Sequence, residues 1–219
     1  TWSAPELVDT SPFHQPTPIT GPVLVLPSGE WALQFELNKH YDDPGVWRHS
    51  SVMMFSADRG STWPRWAITS NDPENRIFYW DQRPAVLDDG TILTLFWTYD
   101  NQTATYLNIH ARRSQDEGRT WSGLWDTGVG GQPAPPVSLP DGRIAMVYVD
   151  RSHEPCIKMR VSSDGGASWP EETEFTIHAP ALENQTLKKG SMQDAWTEMG
   201  RFSLGLPITS PLQGGDILV

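Results

Sequence analysis

One eight-residue pattern occurs three times in this chain of 219 residues. It has the form S-x-D-x-G-x-[ST]-W and occupies residues 56–63, 114–121 and 162–169. The pattern predicts a tight turn, because Asp and Ser side chains bond backbone N–H groups inside turns and Gly adopts a positive φ. We expect the closing ring of each turn to be buried in the core, since Trp carries a large apolar surface. A turn repeated with the same Trp predicts a repeat fold.

A second pattern, L-x-x-G followed by any residue and then a large apolar one, precedes the turns. Its four copies begin at Leu26, Leu87, Leu139 and Leu212. A Gly-containing turn between apolar or β-branched runs predicts a β-hairpin. The repeating unit is therefore a strand, an L-x-x-G turn, a strand, a loop, a third strand, the S-x-D turn and a fourth strand. This is the strand order of one propeller blade.

The spacing of the repeats supports this interpretation. The aspartates of the first pattern, Asp58, Asp116 and Asp164, are 58 and 48 residues apart. A four-stranded blade with its loops takes roughly 40–50 residues. We predict an all-β protein with a single propeller domain over residues 1–219, containing three blades and the opening hairpin of a fourth. Because a propeller closes with about four to eight blades, we expect the natural chain to continue past Val219.

The composition and charge of the chain restrict the kinds of fold, ligand and partner that we expect. The chain is 37% hydrophobic and contains 18 Gly and 19 Pro, which is typical of short strands separated by many turns. No apolar run approaches the ~20 residues of a membrane span, and the net charge of −11 disfavours nucleic acid as a partner. No cluster has metal-ligand spacing and no nucleotide fingerprint is present, so we expect neither a metal nor another cofactor. Unpaired sheet edges predict self-association of the isolated chain.

The S-x-D-x-G-x-[ST]-W pattern resembles the Asp box of the sialidase (BNR-repeat) superfamily. The members of this superfamily are β-propellers, typically with six blades. The resemblance implies a glycoside hydrolase, similar to an exo-α-sialidase, that acts on an acidic sugar and is secreted or periplasmic. It also implies that Asp58, Asp116 and Asp164 are structural and that the active site lies at one end of the central channel.

The resemblance also suggests catalytic carboxylates. In sialidases, a loop of the first blade carries an Asp that acts as general acid/base on the glycosidic bond, and Asp42 or Asp43 lies at the corresponding place. Such a carboxyl needs a raised pKa to donate a proton. The alternative is that both residues belong to a solvated turn, because Pro44 and Gly45 follow them.

Sialidases clamp the sugar carboxylate with three arginines. Arg83 is the strongest candidate here, because a guanidinium can bind a carboxylate with two parallel hydrogen bonds. The alternative for Arg83 is an ion pair with Asp81, which lies in the same segment and is a second candidate substrate contact. Arg48 and Arg151 lie in comparable loops and are weaker candidates.

Two further candidates lie ahead of the fourth hairpin. A sialidase Glu near this point activates a tyrosine nucleophile, and an arginine follows it; Glu198 and Arg201 fit this order. The nucleophile itself is expected beyond Val219. The chain departs from the family in one place: sialidases open the first blade with Arg-Ile-Pro, and Thr20 stands where that arginine belongs.

Two other functions remain open. A propeller polysaccharide lyase would use His40 or Tyr41 as the base and an arginine to neutralise a uronate. A non-catalytic propeller would bind glycan or protein through exposed aromatic side chains. Convergence of the candidate carboxylates and arginines on one pocket would favour an enzyme, and scattered, solvated side chains would favour a binding protein.

Overall fold

A computed structural model of the protein provides the atomic description below. The structure describes residues 4–15, 17–40, 42–152, 155–179, 204, 206–212 and 214–219. Over these ranges the chain forms short antiparallel sheets and contains no α-helix, only a 3₁₀ helix, η1, at Glu171–Thr173. In the same ranges no helix is both long and apolar enough to cross a membrane.

The first sheet has four strands that follow one another in the chain. They are β1 (Leu24–Val25), β2 (Trp31–Leu37), β3 (Ser50–Ser56) and β4 (Arg65–Asn71). Each strand is antiparallel to the next. The first L-x-x-G turn joins β1 to β2, and the first S-x-D turn joins β3 to β4, as the repeats predict.

The next two sheets repeat this plan. The second sheet contains β5 (Ile77–Val86), β6 (Ile92–Asp100), β7 (Thr105–Tyr106), β8 (Asn108–Ser114) and β9 (Trp125–Gly130). Its order is β5-β6-β8-β9, and β7 also pairs with β6. The third sheet contains β10 (Gln132–Pro133), β11 (Val137–Ser138), β12 (Ile144–Asp150), β13 (Cys156–Ser162) and β14 (Phe175–His178). Its order is β10-β12-β13-β14, and β11 also pairs with β12.

A last hairpin pairs β15 (Ser210–Pro211) with β16 (Ile217–Leu218), around the fourth L-x-x-G turn. The all-β prediction and the strand order predicted for each unit are confirmed in the described residues. The sequence could predict this order because each turn is specified within a few residues of the chain.

The three S-x-D turns share one hydrogen-bond network. In the first turn, Ser56 Oγ donates to Asp58 Oδ1 at 2.7 Å and accepts from the Gly60 backbone N–H at 2.7 Å. Asp58 also accepts from the backbone N–H of Thr62 at 2.8 Å and from its hydroxyl at 2.7 Å. The second and third turns repeat the same four bonds. The Ser and Asp side chains of the motif therefore make their hydrogen bonds within the turn.

These bonds determine the charge of the turn aspartates. Hydrogen bonds from Thr62 lower the pKa of Asp58 to about 2, and those from Thr120 do the same for Asp116. Burial raises the pKa of Asp164, but its hydrogen bonds outweigh that effect and the pKa is again about 2. A carboxylate ionised so firmly cannot serve as a proton donor near neutral pH.

The closing tryptophans of the turns differ in burial. Trp169 is only 4% exposed and packs in a cluster with Leu93 and Met146. Trp63 and Trp121 are half-buried at the margins of two other clusters. The expectation of burial is therefore confirmed for Trp169 and met only in part by the other two.

Neighbouring sheets pack closely through the turns. A Cβ on Gly118, which has φ +79°, would lie 2.2 Å from the Phe55 ring of the first sheet. Glycine is thus required there by both backbone conformation and space.

Candidate functional site

A cavity of about 260 Å³ is lined by residues from the first three sheets and from the segment before β1. We call it the carboxylate cavity. Its described lining consists of Pro18, Thr20, Glu36, Asn38, Trp47, Trp80, Asp81, Trp97, Gln132 and Leu206. Two acidic side chains and three tryptophans therefore line one concave surface.

A β-bulge in β5 positions Asp81. Trp80 pairs with Trp97 and Arg83 pairs with Leu95, so two residues of β5 oppose one residue of β6. Asp81 has φ +49° within this bulge, a conformation that Asp tolerates better than most residues do. Because a bulge re-aims a side chain relative to its strand, the distortion accounts for a carboxylate in the cavity wall.

Glu36 lies near the end of β2 and is only 5% exposed. Its Oε1 accepts from the backbone N–H of Gln82 at 3.3 Å. Its Oε2 lies 3.4 Å from Nε2 of His49, which is also buried. Both oxygens are therefore held by groups from other strands or loops.

Burial and neighbouring charges shift the pKa of Asp81. Burial raises the pKa of Asp81 and the negative charge of Glu36 raises it further. The charge of Arg83, the hydrogen bond from Gln132 and the charge of Arg151 oppose the shift without cancelling it. Asp81 therefore keeps its proton to a higher pH than an ordinary Asp, which is the property that a general acid needs.

Gln132 connects the second and third sheets at this site. Its side chain is fully buried at the start of β10; it donates to Asp81 Oδ2 and accepts from Arg151 Nη1 at 2.6 Å. The Arg151 guanidinium carbon also lies 5.9 Å from the centre of the Trp97 ring, within cation–π range. Asp81, Gln132 and Arg151 thus form one connected row.

Arg83 is buried in the structure and does not line the carboxylate cavity. It donates through Nη1 to the Thr20 carbonyl, and its Nη2 lies 3.9 Å from Asp81 Oδ2. The ion pair with Asp81, one of the two alternatives from the sequence, is therefore present. The predicted contact between Arg83 and a substrate carboxylate stays a prediction.

The other predicted site residues lie apart from this cluster. Asp42, Asp43, His40 and Arg48 are exposed, and none of them lines the carboxylate cavity. Asp43 Oδ1 accepts from the Gly45 backbone N–H at 2.7 Å, as in a solvated turn. The roles predicted for these residues remain untested. Tyr41, Glu198 and Arg201 lie outside the described residues.

Sequence reasoning missed Glu36, His49 and Gln132 as site residues. A signal for Glu36 was present, because Gln34 and Glu36 alternate with apolar residues in β2 and so point to one face of the sheet. His49 and Gln132 carried no such signal, since their contacts depend on how separate elements meet.

Aromatic side chains form much of the remaining wall. The Trp47 and Trp80 rings are stacked at 6.1 Å, and Trp80 is stacked on Tyr99 at 4.7 Å. At about 260 Å³ the cavity is slightly smaller than the ~300–1,000 Å³ of typical small-ligand sites, and its three tryptophans with a few placed polar groups suit one small ring. Among the described residues, no group of three or more His, Cys, Asp or Glu side chains could hold a metal ion.

Comparisons with known proteins identify the family and the fold. The model of the BNR repeat-like domain family matches residues 1–214, while no curated protein matches the sequence. Similar solved structures include a protein of unknown function from Dyadobacter fermentans, with a TM-score of 0.60 and 20% identity over 75% of this chain and 43% of that one. A mutant of NanB sialidase from Streptococcus pneumoniae has a TM-score of 0.58 and 11% identity over 81% of this chain and 47% of that one.

The Hadza microbial sialidase Hz136 has a TM-score of 0.51 and 18% identity over 67% of this chain and 35% of that one. This chain therefore spans less than half of the length of each of the three. Likeness at such low identity concerns the fold, which is the β-propeller fold of the sialidases. The match over residues 1–214 shows that the chain belongs to the BNR repeat-like domain family.

Proposed function

We propose that this protein is a glycoside hydrolase that cleaves a glycosidic bond in the carboxylate cavity. The observation that carries the proposal is a buried carboxyl group, Glu36, beside a half-buried one, Asp81, in a cavity with three tryptophans where the pKa of Asp81 is raised. Two of the similar solved structures are sialidases, which supports this class of reaction. A fold alone does not define a function, so the proposal depends on the site.

Most glycoside hydrolases use two carboxyl groups. One protonates the leaving-group oxygen, and the other acts as a base on water or as a nucleophile. Asp81 suits the first role because its pKa is raised. Glu36 suits the second, because the Gln82 N–H and His49 hold its two oxygens in place.

The cavity wall favours a neutral sugar over an acidic one. Its described residues include no cationic side chain, and a sugar carboxylate would be repelled by the negative charge of Glu36. Thr20, which stands where sialidases have an arginine, is itself part of this wall. The departure from the sialidase pattern therefore falls where a carboxylate clamp would be needed.

The test is a hydrolysis panel of neutral and sialic-acid glycosides, run with the parent protein, Asp81→Asn and Glu36→Gln. We expect cleavage of a neutral glycoside by the parent, with loss of turnover in both variants. Asp116→Asn is the matched control, since it changes an aspartate of a repeated turn and should leave turnover intact. Cleavage of sialic-acid glycosides and of no neutral glycoside would support a hydrolase of acidic sugars and contradict the neutral-sugar proposal. Glycan binding with no cleavage would establish a non-catalytic propeller.

The lyase alternative gains no support from this cavity. Its candidate base His40 is exposed and does not line the cavity, and Tyr41 lies outside the described residues.

A further inference from the structure

A second cleft of about 330 Å³ lies beside the carboxylate cavity, between residues of the second and third sheets. Trp97 and Gln132 line both spaces. We propose that this side cleft is a second sugar subsite, which binds a neutral sugar residue neighbouring the one held in the carboxylate cavity. The assignment of the two sugars to one chain rests on the proposed function.

The first argument is the shared wall. Because Trp97 and Gln132 contribute to both spaces, the two spaces are adjacent, and neighbouring sugars of one chain would lie on either side of these residues. The side cleft also lies at the lower end of the ~300–1,000 Å³ range of small-ligand sites, as expected for a space that takes a single sugar residue.

The second argument is the aromatic wall. Trp97 and Tyr106 both line the side cleft, and their rings are stacked at 4.6 Å with only 8° between their planes. Stacking holds both rings in fixed positions, so little side-chain entropy is lost when a ligand binds. A rigid aromatic wall suits the apolar face of a sugar ring. The hydroxyl groups of that sugar would then hydrogen-bond to the polar residues of the lining.

The third argument is the charge of the lining. Asp150 and Arg151 are its two charged residues. Asp150 is engaged by Lys158 at 2.9 Å, and Arg151 donates to Gln132 at 2.6 Å. Opposite charges that already have protein partners leave no excess charge for an acidic sugar. The Asn108 amide nitrogen donates to Asp126 at 3.2 Å, and the oxygen of the same amide can accept from a sugar hydroxyl, so the structure favours a neutral sugar.

Gly130 offers a selective way to block the cleft. It lines the cleft and is exposed, and the nearest heavy atom to a Cβ there would be Asn108 Oδ1, at 3.9 Å. Its backbone lies outside the positive-φ region, so a side chain causes no strain. By contrast, a Cβ on Gly131 would meet Tyr148 at 2.8 Å. Gly130→Val should therefore fill the side cleft and spare the carboxylate cavity.

The experiment measures binding of short neutral glycans by calorimetry, in an Asp81→Asn background that prevents turnover. The probes are glucose and cellotetraose, xylose and xylotetraose, and arabinose and arabinotetraose. For any of these three sugar pairs that the protein binds, we expect the tetrasaccharide to bind at least about tenfold more tightly than the monosaccharide. Gly130→Val should remove this advantage and leave monosaccharide affinity unchanged.

Gly123→Val is the matched control, because Gly123 is exposed, lies outside the cleft and has no heavy atom within 4 Å of its Cβ position. In Gly123→Val the tetrasaccharide should still bind more tightly than the monosaccharide, a difference that we call the length advantage. Thermal unfolding checks that both variants are folded, and Gly130→Ser replaces Gly130→Val if the larger side chain prevents folding.

The outcomes separate the two proposals. A length advantage that is absent, or that survives in Gly130→Val, overturns the second subsite even if the parent protein hydrolyses glycosides. A length advantage that Gly130→Val removes, in a protein that cleaves nothing, supports the subsite and overturns the hydrolase. Absence of binding for all three sugar pairs overturns the subsite.

Discussion

The repeated turns and the carboxylate cavity place aspartates in opposite environments. Asp116 accepts hydrogen bonds from residues of its own turn, and its pKa falls to about 2. Asp81 is half-buried near Glu36, and desolvation and the charge of Glu36 raise its pKa. A carboxylate whose bonds are all local is suited to holding a turn, whereas a desolvated carboxyl near a second one is suited to proton transfer.

The two regions also differ in how they are assembled. The turn bonds join residues two to four positions apart. In the cavity wall, Asp81 is bonded by Gln132, which is 51 positions away, and behind it Arg83 donates to the carbonyl of Thr20, 63 positions away. Arg83 Nε and Nη2 are buried and have no hydrogen-bond partner among the described residues. Incompletely satisfied buried charge is destabilising, and proteins retain it mainly at functional sites.

The largest expected effect is a loss of kcat that occurs when the cavity aspartate is replaced and not when a turn aspartate is. Asp81→Asn removes the proposed proton donor with little change in size, and should lower kcat by about 10²–10⁴. The same substitution at Asp116 should leave kcat unchanged and lower the thermal midpoint, since an amide cannot accept all the bonds of a carboxylate. Steady-state kinetics and thermal unfolding of both variants check this. Equal losses of kcat would remove the functional distinction between the regions.

The next effect concerns the tryptophans that close the turns. Trp169→Ala should cost about 3–5 kcal/mol of unfolding free energy, as for other buried large aromatics. Trp63→Ala should cost less, because Trp63 is only half-buried. Urea unfolding of both variants gives the comparison. A loss of under ~1 kcal/mol for Trp169→Ala would contradict a core role for this residue, given the usual range of point-mutant effects.

The sequence predicted the parts of the molecule that depend on short stretches of chain. The S-x-D turns, the L-x-x-G hairpins and the strand order of each sheet all follow from contacts within a few residues. The row of Asp81, Gln132 and Arg151 could not be predicted, because it forms where strands of two sheets meet. The β-bulge that directs the Asp81 side chain towards the cavity wall carries no sequence signal, because neither residue between Trp80 and Arg83 is a glycine or a proline.

The opposite pKa shifts predict opposite pH effects in the two regions. The folded pKa of Asp58 is about 2, below its ordinary value of 3.8, so its stabilising effect is present above pH 3.8 and is lost as the pH falls towards 2. Asp58→Asn should therefore flatten the acid limb of a plot of urea midpoint against pH. Turnover should instead decline as the pH rises through the raised pKa of Asp81. An unchanged acid limb in Asp58→Asn would contradict the stabilising role of that carboxylate.

The smallest effect tests the origin of the Asp81 shift. The positive charge of Arg83 lowers the pKa of Asp81, and the negative charge of Glu36 raises it. Arg83→Met should therefore move that pKa upward and Glu36→Gln should move it downward. Carboxyl carbon chemical shifts followed by NMR report the pKa without requiring activity, which matters because Glu36→Gln should be inactive. Arg83→Lys is the control, since it keeps the charge and should move the pKa less than Arg83→Met does. Shifts in the same direction for Arg83→Met and Glu36→Gln would mean that changes in burial, rather than the two charges, set the proton affinity of Asp81.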